Sequence, residues 1–130
     1  MAFVIGKFDE NKKEEGIWTQ YGGSDFLIGY TGTKFTKTLN RLRKPHEKAI
    51  QRNTVDPDTL SGLYQRAIAE TVLLDWKNVQ DFEGADVPYS KEMAIEALKS
   101  DPDFFSFVTE FSTEITNFEK EAKEAKVKKS

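Results

Sequence analysis

Glu70-Thr71-Val72-Leu73-Leu74-Asp75-Trp76-Lys77-Asn78-Val79 is the stretch on which the fold turns. Extended back to Asp56 and wound at ~3.6 residues per turn, its apolar side chains fall on two adjoining arcs. Leu60, Leu63, Tyr64, Ala67, Thr71 and Leu74 form one arc, and Ile68, Val72, Leu73, Trp76 and Val79 the other. A helix apolar over so much of its circumference belongs in the middle of a molecule. The pattern therefore predicts a central helix from Asp56-Pro57-Asp58 to about Asn78. Its start is favourable, with Pro in the first turn and carboxylates at the positive end of the macrodipole.

Downstream, Gln80 to Pro88 is a break punctuated by Gly84, after which Ser90 caps a short helix over Lys91 to Lys99 with Met93, Ala94, Ala97 and Leu98 inward. Asp101-Pro102-Asp103 repeats the earlier start signal. Phe104, Val108, Phe111, Ile115, Phe118, Ala122 and Ala125 then alternate spacings of four and three, a heptad-type seam with Phe105 and Phe107 beside its beginning. Such a seam is either core or a surface for another copy or a partner, since aromatics are enriched in both places. Residues 119 to 130, rich in Lys, Glu and Ala, are expected to fray.

Upstream, Thr33 to Asn53 is two-faced, with Phe35, Leu39, Leu42, His46, Ala49 and Ile50 on one arc and Lys34, Lys37, Arg41, Lys44, Lys48 and Arg52 on another. Pro45 interrupts it without shifting its phase, which predicts a kink or a closely stacked pair. His46 is expected to pack against the kink. Nearer the start, Ile17 to Tyr21 and Asp25 to Tyr30 are aromatic, β-branched runs around Gly22-Gly23-Ser24 and predict a hairpin. Before it, Phe3-Val4-Ile5 opens an apolar run, and Asp9 to Glu15 is polar enough to pass for an exposed loop. The fold class expected is α+β, mainly α. A small N-terminal antiparallel hairpin or three-stranded unit in residues 1–30 precedes three to five helices in 31–118, all in one domain spanning 1–130.

A chain of 130 residues with 38% hydrophobic and 32% charged residues, ten of them Phe, has material for one core. The absence of Cys removes disulfides, thiolate metal sites and Cys nucleophiles, and a lone His leaves little for imidazole catalysis. No nucleophile elbow, phosphate-binding Gly loop or dinucleotide fingerprint occurs. Asp81, Glu83 and Asp86 around Gly84 fit no calcium-loop frame and describe an acidic turn. No enzyme, cofactor or metal is expected.

No apolar run approaches the ~18 residues of a membrane span, and Met1 to Phe8 is too short and too weakly basic for a signal peptide. A cytosolic protein is expected, with no membrane partner. Charge is unevenly spread: Thr31 to Arg52 holds seven Lys or Arg against one Glu, a balance of +6, whereas Asn53 to Phe118 holds thirteen acids against four bases, −9. The two parts should attract each other, so the arc with Lys37, Arg41 and Lys44 reads first as a solvated or intramolecularly paired face, then as a candidate site for an acidic protein and, least in keeping with a pI near 5.3, for nucleic acid.

The order of these elements resembles the tail assembly chaperones of siphophages. The likeness runs from Gly16 to Phe118: a hairpin, then Arg41-Leu42-Arg43-Lys44-Pro45, then Ala69-Glu70-Thr71-Val72-Leu73-Leu74-Asp75-Trp76, an acidic turn into Pro88-Tyr89-Ser90, and a closing segment around Phe107-Val108-Thr109-Glu110. That resemblance implies a noncatalytic protein of the host bacterial cytoplasm. It would bind the tape measure protein and keep it soluble during tail morphogenesis, engage tail tube subunits, self-associate, and be absent from the mature virion. Candidate partner-binding residues are Phe104, Phe105, Phe107, Phe111, Ile115 and Phe118 of the seam, with Lys37, Arg41 and Lys44 of the basic arc. The alternatives are a structural tail component and a basic-helix nucleic-acid-binding protein.

Overall fold

A computed structural model describes residues 2–120. Asp9 begins the first element: its Oδ1 accepts from the backbone N–H of Asn11 and Lys12 at 2.9 and 3.2 Å, capping helix α1 (Glu10–Glu15). The expected loop is thus helical. Glu-Asn-Lys-Lys-Glu-Glu has no apolar stripe to betray it, and only the cap and the glycine that stops it, Gly16 at φ +85°, carried the signal.

Strands β1 (Ile17–Tyr21) and β2 (Ser24–Ile28) form the predicted antiparallel hairpin, Tyr21 facing Ser24 across Gly22-Gly23. Both glycines have positive φ, +59° and +83°, the requirement of a two-residue turn that follows the strand twist. Helix α2 (Thr33–Arg43) passes through a 3-10 turn, Lys44–His46, into α3 (Glu47–Gln51). Pro45 sits in the turn, so the expected kink is present; His46 there is only half-buried rather than packed away.

The central helix is shorter than its pattern predicts. Helix α4 (Pro57–Thr71), capped by the Asp56 carboxylate, stops at Thr71, and β3 (Leu73–Lys77) follows at once. β3 pairs antiparallel with β2, Phe26 opposite Trp76 and Leu27 opposite Asp75, giving a sheet of order β1-β2-β3. Between Leu27–Asp75 and Ile28–Leu73 the ladder slips, leaving Leu74 as the extra residue of a bulge. The third strand therefore comes from the middle of the chain, and 31–118 is not wholly helical as expected. A short apolar run reads alike as buried helix or buried strand. Here the unpaired edge of β2 decides, and the aromatic Trp76 suits it.

After a turn come α5 (Lys91–Ser100), capped by Ser90 Oγ on the Met93 N–H at 3.1 Å, and α6 (Pro102–Thr113), capped by Asp101 Oδ1 on the N–H groups of Asp103 and Phe104, both at 3.1 Å. A 3-10 turn, Ile115–Phe118, closes the described chain. Helix α2 packs on α4, α4 on α5, α5 on α6, and α6 on β2, so one face of the sheet is covered by helices. Phe26, Ile28, Ala67, Ile68, Val72, Leu73, Trp76, Leu98, Phe104 and Val108 are buried between the layers. Ala94 and Leu98 point inward as expected, but Met93 is exposed. The architecture is α+β and mainly α.

Candidate functional site

The Phe seam is mostly spent on the core. Asp101 fixes the start of α6 so that Phe104 meets Phe26 at 4.8 Å and Tyr21 at 5.7 Å between ring centroids. Val108 is fully buried one turn on. Phe105 leans on Tyr64, Phe107 stacks on Tyr21 at 4.6 Å, and Phe111 meets Phe118, leaving these three half-buried. The helix ends at Thr113, so Ile115, half-buried, and Phe118, buried against Tyr30, are delivered by the 3-10 turn rather than by helical phase. Ala122 and Ala125, with the tail expected to fray, lie outside the described residues apart from Glu119 and Lys120. The seam is not an open strip: Phe104 and Phe118 are closed off by burial, and among its described residues Phe105, Phe107, Phe111 and Ile115 reach solvent only in part. Tyr21, beneath Phe107, has its phenol pKa raised by desolvation and further by the Asp101 and Asp103 carboxylates.

Lys37, Arg41 and Lys44 are exposed along α2 and its kink. Arg41 reaches across to α4 while staying exposed, its guanidinium 3.3 Å from the Glu70 carboxylate, which Arg66 also approaches at 4.0 Å. The attraction expected between the basic and acidic parts of the chain is thus realised at Arg41. Lys37 and Lys44 have no ion pair among the described residues. Across the kink an open groove of about 330 Å³ is lined by Asn40, Arg43, Lys44, Glu47, Ile50 and Gln51.

The large apolar groups left to solvent are elsewhere. Phe3 and Ile5 are 88% exposed, Val4 57%, Phe82 98% and Trp18 41%, with Leu60 and Met93 at the margin. Phe3-Val4-Ile5 sits on an arm whose root is fixed: Asp9 N–H donates to Phe118 O at 2.7 Å, Lys120 N–H to Lys7 O at 2.8 Å, and Lys7 pairs with Glu119 at 3.8 Å. Gly6, at φ +75°, makes a turn between the arm and that root. Phe82 is held out by a built turn. Asp81 Oδ1 accepts from the N–H groups of Glu83 and Ala85, Gly84 takes φ +88°, and Gln80 bridges to Asp86 below. Trp18 lies on the sheet face opposite the helices, in a row with Leu27 and Asp75, and the Lys77 ammonium sits 4.3 Å from its ring centroid.

These exposed positions were visible in the sequence as an isolated apolar run and a Phe in an acidic turn. Neither has a periodicity to mark it, whereas the conspicuous seam was conspicuous because it packs. Among the described residues no cluster of His, Asp or Glu is arranged to hold a metal, and no helix is long and apolar enough to cross a membrane.

Fold and surface together define a small, mainly helical α+β protein with a closed core and a few bulky apolar groups held outside it. The chain belongs to the YdaY prophage protein family, whose model matches residues 30–129, and it is accordingly a phage-associated protein. No curated protein and no solved structure matches it.

Proposed function

We propose that this prophage protein is a noncatalytic tail assembly chaperone that binds the tape measure protein in the host cytoplasm, keeps it soluble while a tail is built, and leaves before the virion is complete. The observation that carries this reading is a sealed core beside deliberately exposed apolar groups, above all Phe82 on its hydrogen-bonded turn. A side chain this large held out by a rigid scaffold is a contact point for another polypeptide. Burying one such ring contributes roughly 2–3 kcal/mol, far too little for a stable complex, but many copies along one long client add up through avidity. Phe82, with the half-buried rims of Phe105, Phe107 and Phe111, supplies the client-facing surface.

Co-expression with a phage tape measure protein tests this. The expected result is a larger soluble fraction of the client and its co-purification, both reduced by Phe82→Ser in a variant that folds normally. A client whose solubility is unchanged, with no complex recovered, ends the chaperone reading. Recovery of this protein from purified particles by mass spectrometry would replace it with that of a structural tail component.

A further inference from the structure

We infer that the arm Phe3-Val4-Ile5 of one copy of this chain docks as an added strand on the free edge of β1 in a second copy. In purpose this rests on the chaperone reading, since it supplies the self-association that would array copies along a client. The physical case stands on the edge and the arm.

The two edges of the sheet are treated differently. Beyond β3, the following segment is tied to the strand: the Trp76 indole donates to Val87 O at 2.8 Å and the Tyr89 hydroxyl to Leu73 O at 2.7 Å. The outer edge of β1 pairs with no strand among the described residues. Such edges are usually guarded by a Lys, a Pro, a bulge or a covering element. Ile17-Trp18-Thr19-Gln20-Tyr21 has neither Lys nor Pro, and the sheet's bulge lies between β2 and β3 instead. The edge is uncharged, unprotected and rich in strand-forming residues.

The arm has the matching chemistry. Ala2-Phe3-Val4-Ile5 is uncharged and exposed throughout, its Phe, Val and Ile are β-prone, and among the described residues it pairs with no strand. Laid beside β1, its alternation puts Phe3 and Ile5 on one face and Val4 on the other. Phe3 and Ile5, the two most exposed, then extend the outer-face row that begins with Trp18 and Leu27. Val4 falls on the side of Ile17, Thr19 and Tyr21. Neither strand brings a charged side chain of its own to the pairing; the Lys77 ammonium on the Trp18 ring belongs to β3. Backbone hydrogen bonds hold the added strand and alternate side chains set its register, the mode of strand addition. One short arm covers well under the ~1,200 Å² of a stable interface, so association is weak in isolation and concentration-dependent.

The chain has no cysteine, which makes the test clean. Full-length Val4→Cys and Thr19→Cys proteins are mixed at high concentration, without client, and treated with a short thiol crosslinker. The expected result is a heterodimer yield at least tenfold above that of Val4→Cys mixed with Lys48→Cys, whose thiol lies on exposed α3. By sedimentation, Phe3→Asp/Ile5→Asp, with an unchanged circular dichroism spectrum, weakens self-association at least tenfold. A yield equal to the Lys48→Cys control overturns the inference. So does efficient crosslinking within single Val4→Cys/Thr19→Cys chains at high dilution, which would show the arm folding back on its own strand. Because client is absent, failure here leaves the co-expression result standing, and failure there leaves this pairing standing.

Discussion

Replacing Trp76 by Phe tests the reassignment of the central helix to a helix followed by a strand. In β3 the indole is almost fully buried, meets Phe26 edge-on at 6.2 Å and Tyr89 at 5.3 Å, and donates its N–H to Val87 O at 2.8 Å. Phe keeps a ring but removes roughly 40 Å³ of side chain, which at ~24 cal/mol per Å³ of residual cavity costs about 1 kcal/mol. The lost hydrogen bond, with the Val87 carbonyl left unpaired, costs about 1–2 kcal/mol more. The sum, about 2–3 kcal/mol, corresponds to a fall in Tm of roughly 6–12 °C for a chain of this size. Urea denaturation followed by far-UV circular dichroism measures it without relying on the tryptophan removed. Trp18→Phe is the internal control: that ring is 41% exposed, and its contact with Lys77 is worth about 0.5–1 kcal/mol. If Trp76→Phe costs no more than Trp18→Phe, Trp76 is not the interior strand residue described, and the reasoning fails.

Tyr89→Phe removes a hydroxyl that donates to Leu73 O at 2.7 Å and Ala69 O at 3.3 Å, and a loss of about 1–2 kcal/mol is expected by chemical denaturation at neutral pH. Burial, and after it the Asp75 carboxylate, raise the Tyr89 pKa, so its contribution is complete below the unfolded value near ~10 and is lost as pH climbs through the higher folded value. The stability of the wild type should therefore fall more steeply above about pH 10 than that of Tyr89→Phe, with Tyr21 leaving a residual slope in both. Asp101→Ala unties the N–H groups of Asp103 and Phe104 and should cost about 1 kcal/mol, recovered largely by Asn, in a thermal melt. Phe104→Ala should cost about 3–5 kcal/mol and Phe82→Ser less than about 0.5 kcal/mol; equal losses would contradict their opposite placement, one inside and one out.

Much of the fold is legible in the sequence because many of its devices are local. Asp56, Ser90 and Asp101 each accept from N–H groups two or three residues on, and Gly22-Gly23 supplies the two positive φ angles of the hairpin within the turn itself. Although α1 reads as a loop, the starts of α4, α5 and α6, the hairpin, the Pro45 kink and the α+β class all follow from such short-range chemistry. So does the ion pair of Arg41 in the basic arc, in kind though not in partner: opposite charges had to meet, but Glu70 as the group that meets Arg41 depended on where α4 lies.

The candidate site was less legible, since exposure belongs to a residue's neighbours rather than to the residue. Phe104 and Phe82 are the same side chain; packing against Phe26 and Tyr21 buries the first, while an Asx-type turn holds the second in water. The sequence by itself determined where helices begin, where the chain reverses and which residues are greasy enough to need a partner. Tertiary structure alone decided that Leu73–Lys77 extends rather than coils, because its backbone donors and acceptors are satisfied by a β2 edge some fifty residues earlier in the chain. It also decided which Phe rings close the core, because a helical stripe specifies a direction and only the neighbouring layer specifies what lies there.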